Sequence, residues 1–267
     1  MPPGAKLLSG TLALFQNGKA WNRVPDPEAA APAGPHELLI SHFLQMRAAG
    51  VENVDLDDVV VLSGASGLFG FKHGDFMPKY AFLHVGLERR IAEATGFGYE
   101  WLELGDVEKA WRIVTESIDA GKPVKGFYVE GILFLGYRDH GDREERLVYG
   151  ISQEEPGFSK WMTWDEFAEW AKQVRQWKTA RLGRYAGRVD ARPAAQSARR
   201  VLADLVQFSE QPPAQVLSGF RGAAWGLAAL DRCAADCADV GTYPAWTLCH
   251  DVNSQWPMRK CTAAWLA

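Results

Sequence analysis

Apolar residues recur at helical spacing between His36 and Ala49, at Leu39, Ile40, Phe43, Leu44 and Met46, and Gly50 ends the pattern. Asp55 to Leu62 predicts a short helix whose first-turn acids suit the helix dipole. A further helix is expected from Pro78 through Ala94, with Gly96 beyond its end. Tyr99 to Leu104 reads as a strand, and Asp106 to Ala120 as an amphipathic helix capped by Asp106. Residues 121–152, GKPVKGFYVEGILFLGYRDHGDREERLVYGIS, follow as three strands around a charged turn. Thr163-Trp-Asp-Glu166 matches a capping box and predicts a helix to about Gln176. Near the N-terminus, the apolar run Leu7 to Phe15 is followed by Asn17-Gly18, which predicts a hairpin of two strands.

The segments between these elements read as punctuation. Pro25 to Gly34 is a Pro/Ala-rich loop, Ser63 to Gly67 a small-residue stretch, and Phe69 to Asp75 irregular. Lys178 to Arg192 is basic and contains glycine, as a linker would. Everything beyond Pro193 reads as helix, over 194–208, 219–237 and 245–266. The expected architecture is α+β: a small antiparallel sheet packed by helices over 1–177, a linker over 178–192 and a helical C-terminal subdomain over 193–267.

Composition narrows the function classes. With 29 Lys and Arg against 33 Asp and Glu, the chain is mildly acidic and carries no global footprint for nucleic acid or an anionic membrane. No run approaches the roughly 18 apolar residues of a membrane span. The first apolar run lacks a small-residue cleavage site, so an uncleaved cytoplasmic chain is expected. Cys233, Cys237, Cys249 and Cys261 are confined to the C-terminal stretch. Reduced thiols are the simplest reading of that clustering. A four-ligand zinc set from Cys233, Cys237, Cys249 and His250 fits less well than core packing, because Cys233 and Cys237 lie four apart on an Ala-rich helix. No residue is assigned to a metal, and no cofactor is expected.

The order of the pieces PHELLISHFLQMRAAGV (35–51), VVVLSGASGLFGF (59–71), AGKPVKGF (120–127), GILFLGYRD (131–139) and WMTWDEFAEWAK (161–172) resembles papain-like proteins related to bacteriocin-processing peptidases and butirosin-type acyltransferases. The resemblance covers most of residues 34–175, and the tail 249–267 is similar to the helical end of these proteins. It implies a papain-like fold with a Cys nucleophile at the start of the first long helix and a His base on the hairpin. Here the nucleophile position falls around His36-Glu37-Leu38, no Cys precedes Cys233, and Glu130 stands at the base position. The position of the residue that orients the base falls near Ser152.

Candidate site residues follow from that alignment. His36, Glu37 and Glu130 could act as acid and base, bind a metal, or form a buried hydrogen-bonded pair in a domain that has lost its chemistry. Ser63, Ser66, His73 and Tyr128 are the expected substrate contacts. Ser63 and Ser66 bring backbone donors that could hold a carboxylate or phosphate, although the stretch lacks the Lys and spacing of a phosphate loop, and close helix packing also explains it. His84 reads as a core histidine and His140 as a solvent-facing turn residue. The functional expectation is acyl or amide transfer or hydrolysis on small molecules, with a Glu/His site in place of Cys-His. The alternative is a catalytically inactive papain-like domain that binds a small molecule or a protein partner. The amphipathic C-terminal segment also permits a homo-oligomer.

Overall fold

The computed structural model describes residues 1–16, 37–75, 78, 81, 85–104, 106–127, 131–152, 159–172, 174–175, 178–179, 181–238, 262–263 and 265–266. In chain order the first elements are β1 (Lys6–Leu7), α1 (Ser9–Gln16), α2 (Glu37–Ala48), α3 (Leu56–Leu62), β2 (Gly70–Phe71) and α4 (Leu87–Thr95). There follow β3 (Phe97–Glu103), α5 (Val107–Asp119), β4 (Val124–Phe127), β5 (Gly131–Arg138), β6 (Leu147–Ser152) and β7 (Ser159–Thr163). Then come α6 (Trp164–Lys172), β8 (Val174–Arg175), β9 (Lys178–Thr179), β10 (Arg181–Arg188), α7 (Ala194–Glu210), α8 (Ala214–Gly219), β11 (Ala224–Trp225) and α9 (Gly226–Ala238). The protein is thus a mixed α/β chain with a mostly antiparallel sheet packed by helices. Contacts gather it into two compact units, one of Met1–Asn22, Glu37–Asn53 and Phe97–Gly187, the other of Arg23–His36, Val54–Gly96 and Arg188–Ala267.

The first unit is built on a sheet of order β3-β10-β4-β5-β6-β7. The pairings β10–β4, β4–β5, β5–β6 and β6–β7 are antiparallel. β1 pairs with Gly136 and Tyr137, beyond the stretch of β5 that β4 covers, so it prolongs that edge. One face of the sheet presents Val124, Phe134, Tyr137, Val148, Met162 and Leu182 to α5 and α6. α5 meets it with Val107, Ala110, Trp111, Val114 and Ile118, which recur every three or four residues. α6 adds Trp164, Phe167 and Trp170. A β-bulge at Leu135 opposes two residues of β5 to one of β6 and shifts the side-chain alternation. That is why Phe134 and Tyr137, three apart, share the α5 face. α2 lies on the other face, where Lys125, adjacent in sequence to Val124, reaches Ser41.

Local caps explain several element boundaries. The Asp106 side chain accepts a 2.9 Å hydrogen bond from the Glu108 N–H and starts α5. The capping box expected at Thr163 and Glu166 forms, with the Thr163 N–H donating to Glu166 Oε2 at 2.8 Å and the Glu166 N–H to Thr163 Oγ1 at 3.3 Å. In the second unit, Asp55 and Asp58 make a reciprocal capping box for α3, each accepting from the other's N–H at 2.9 Å.

Four expectations are corrected. The apolar run after Leu7 forms the helix α1, because Leu8, Thr11, Leu12 and Phe15 fall on one side of a 3.6-residue repeat. The single helix expected from Pro78 through Ala94 is interrupted at Gly86, which takes a left-handed φ of 70° just before α4 starts at Leu87. Gly70–Phe71, expected as irregular, pairs with Ala224–Trp225, within a stretch expected to be wholly helical. Most important, the basic segment taken for a linker contains an eight-residue strand, β10, inside the sheet. Its arginines cover β3: Arg184 pairs with Glu100 at 2.7 Å and the Arg181 guanidinium lies 4.3 Å from the Trp101 ring centroid. Gly183 is required there, since a Cβ at that position would meet the Tyr99 hydroxyl at 1.9 Å.

In the second unit α3, α4, α7 and α9 surround a 3-10 turn at Ala65–Gly67 and the short β2–β11 ribbon. Phe69 and Phe71 pack on Ala229 of α9, with Cys233 beside them. Trp265, near the C-terminal end, donates its indole N–H to Asp58 at 3.0 Å.

Candidate functional site

α2 is the helix at whose start the sequence resemblance would place a nucleophile. It begins at Glu37; Tyr128, Glu130 and His36 lie outside the described residues, and the Glu37 side chain does too. What α2 does present is a polar strip, Ser41, His42 and Gln45, turned inward against the sheet. Lys125 Nζ donates to Ser41 Oγ at 3.0 Å, with the lysine fully buried. Gln45 Nε2 donates to the carbonyls of Pro123 and Gly183, each at 3.0 Å, tying α2 to the neighbouring strands β4 and β10. Lys122 Nζ donates to the Ala48 carbonyl at 2.8 Å, placing a cation at the C-terminal end of the helix.

His42 is the unusual member. It has no exposed surface, its ring stands 4.2 Å from Tyr99 and 5.7 Å from Phe97, and neither ring nitrogen has a hydrogen-bond partner. Burial, reinforced by the Lys125 charge, pushes its pKa down to about 3, so the imidazole is neutral at ordinary pH. Ser41 and Lys125 have the chemistry of a serine–lysine dyad. At 6% and 0% exposure they are closed to a substrate, and their geometry serves packing.

The other expected site residues lie in the second unit. Ser63 caps the C-terminus of α3: its hydroxyl donates to the Val60 carbonyl at 2.7 Å and accepts from the Ala65 N–H at 3.1 Å. Ser63 and Ser66 are buried, and the adjoining Gly64 and Gly67 sit against Phe208 of α7, Gly67 against Leu205 as well. The small residues thus allow a close helix approach. His73 Nδ1 stands 2.8 Å from Asp236 of α9, a contact that orients the ring. The structure therefore gathers Ser63 with Ser66 and joins His73 to a carboxylate that the sequence reading did not single out.

The residues missed by sequence reasoning are Ser41, His42, Gln45 and Lys125. A signal existed: three polar residues at three- and four-residue spacing within the largely apolar middle of a helix, and one lysine in an apolar strand. A second polar assembly was also missed, where α4 meets α7. Glu93 Oε2 takes Arg192 at 2.9 Å and Arg200 at 2.8 Å, while Arg90 pairs with Asp204. Among the described residues, no group of three or more His, Cys, Asp or Glu is arranged to hold a metal ion. Comparison with protein-family models, with curated proteins and with solved structures finds no match to this chain.

Proposed function

We propose that this chain is a papain-like protein that works by binding a small-molecule ligand or a protein partner, without thiol catalysis. The order α2, three-stranded β4–β5–β6 run and α6 supports the papain-like reading. The sealed polar strip of α2 carries the functional one. In a thiol enzyme this helix prepares an accessible nucleophile at its start. Here no cysteine precedes Cys233, and Ser41 and Gln45 anchor the helix to the sheet beneath through hydrogen bonds. A helix so anchored suits a rigid binding scaffold.

The test separates this reading from acyl or amide chemistry at Glu130. Purified protein and its Glu130→Gln variant are assayed against a panel of acyl, ester and amide substrates, and both are screened for thermal stabilisation by small molecules. The binding reading expects no turnover by either protein and a shared stabilising ligand. Turnover by the wild type that disappears in Glu130→Gln would establish the catalytic alternative.

A further inference from the structure

Between α3, α4 and α7, Leu62, Arg90, Arg192, Ser197 and Arg200 line a cavity of ≈ 10 Å³, the room that a single water-sized body needs. Three guanidinium groups face it, and two carboxylates, Glu93 and Asp204, answer them. Arg192 and Arg200 share one oxygen of Glu93, and Arg200 Nε lies 3.7 Å from Asp204, which already holds Arg90. Arg89 reaches the other Glu93 oxygen at 3.4 Å. The lining therefore keeps at least one positive charge in excess, and both oxygens of Glu93 and one of Asp204 are already engaged by arginine donors.

Ser197 adds an independent observation. It is 7% exposed, lies on the first turns of the 17-residue α7, lines the cavity, and its hydroxyl has no hydrogen-bond partner. A buried hydroxyl left in that state is unfavourable, so the site calls for a partner. The lining supplies N–H and O–H donors, and among the described residues the Ser197 hydroxyl is met by none of its acceptors. We propose that the cavity binds one small monovalent anion of the halide class. The net charge sets its sign and valence, the volume its size, and the donor-rich lining its need to accept only. This site belongs to the second unit alone and stands whether or not the first unit proves to be a binding domain.

The full chain is melted in sodium chloride, sodium bromide and sodium gluconate at matched ionic strength. Chloride and bromide should raise the midpoint saturably, by about 3 °C at ten times Kd, relative to gluconate. Ser197→Ala should weaken that shift and Arg200→Gln should abolish it. Should Arg200→Gln fail to fold, Ser197→Ala and bromide-soaked crystals decide the matter, with an anomalous peak expected within hydrogen-bond distance of Ser197 Oγ. Equal midpoints in chloride and gluconate, an undiminished shift in Ser197→Ala, or a water in place of bromide would each overturn the assignment.

Discussion

Helix α2 of the first unit turns Ser41, His42 and Gln45 inward and surrounds them with aromatic and aliphatic neighbours, while α7 of the second unit keeps Arg200 and Asp204 in ion pairs at a small cavity and leaves Leu202 and Val206 exposed. The two helices use polarity differently. On α2 the polar groups fix the register of a helix over a sheet, because each hydrogen bond has a single geometric solution. On α7 they form a charge network whose members share partners and tolerate adjustment. Buried hydrogen bonds to backbone specify position, whereas networks of arginine and carboxylate provide adjustable charge.

The largest test of this contrast is Gly183→Ala. The added methyl would collide with Tyr99 beneath α2, and a loss of about 3 kcal/mol is expected in urea unfolding. A loss below 1 kcal/mol would mean that the α2 layer is soft. Adding Tyr99→Phe removes the nearest atom and should recover part of the loss. Arg90→Met probes the opposite member. Among the described residues it leaves the little-exposed Asp204 with the distant Arg200 alone, and about 3 kcal/mol should be lost, part of which Asp204→Asn restores.

A smaller effect comes from acid. Unfolded, the His42 imidazole takes a proton near pH 6.5; folded, it resists until about pH 3. The unfolded state therefore binds more protons between those values, and stability falls as pH drops through this window while remaining constant above it. Between pH 7 and pH 5 the loss should reach about 2 kcal/mol. His42→Phe, compared with wild type at both pH values, should remove that increment. An equal wild-type-to-variant difference at pH 7 and pH 5 would show that the α2 layer admits water. The smallest effect is expected at the surface of the first unit, where Thr163→Ala removes a solvent-facing cap at a cost of about 1 kcal/mol.

Much of the fold was legible because its signals are local. The Asp106 cap, the Thr163–Glu166 box, the Asp55 start of α3 and the strands after Gly121 each depend on residues a few positions apart. β10 was illegible for the opposite reason. Its basic residues become strand-forming only when Arg181 finds Trp101 and Arg184 finds Glu100, some 80 residues earlier in the chain. α1 was misread because six apolar positions in the nine residues Leu7 to Phe15 fit more than one period. The polar strip of α2 was hidden by its lysine partner in a different element, whose contact no spacing announces. Of the expected site, Ser63, Ser66 and His73 were located, and partners were identified for Ser63 and His73. Arg90, Ser197 and Arg200 escaped notice because their meeting depends on how α4 and α7 pack.

The place of β10 between β3 and β4 also has a consequence for synthesis. β4 to β7 follow one another as neighbours and can zip together as the chain emerges. The inner edge of β4 nevertheless waits for Arg181–Gly183, which appear more than 50 residues later, and β3 waits for the same strand. Until residue 188 has cleared the ribosome, the nascent sheet presents two raw edges, an invitation to mispairing with other chains. Slow codons or a bound chaperone would matter most in that interval, and a nascent chain stalled before it should be markedly more prone to aggregate than one stalled just after.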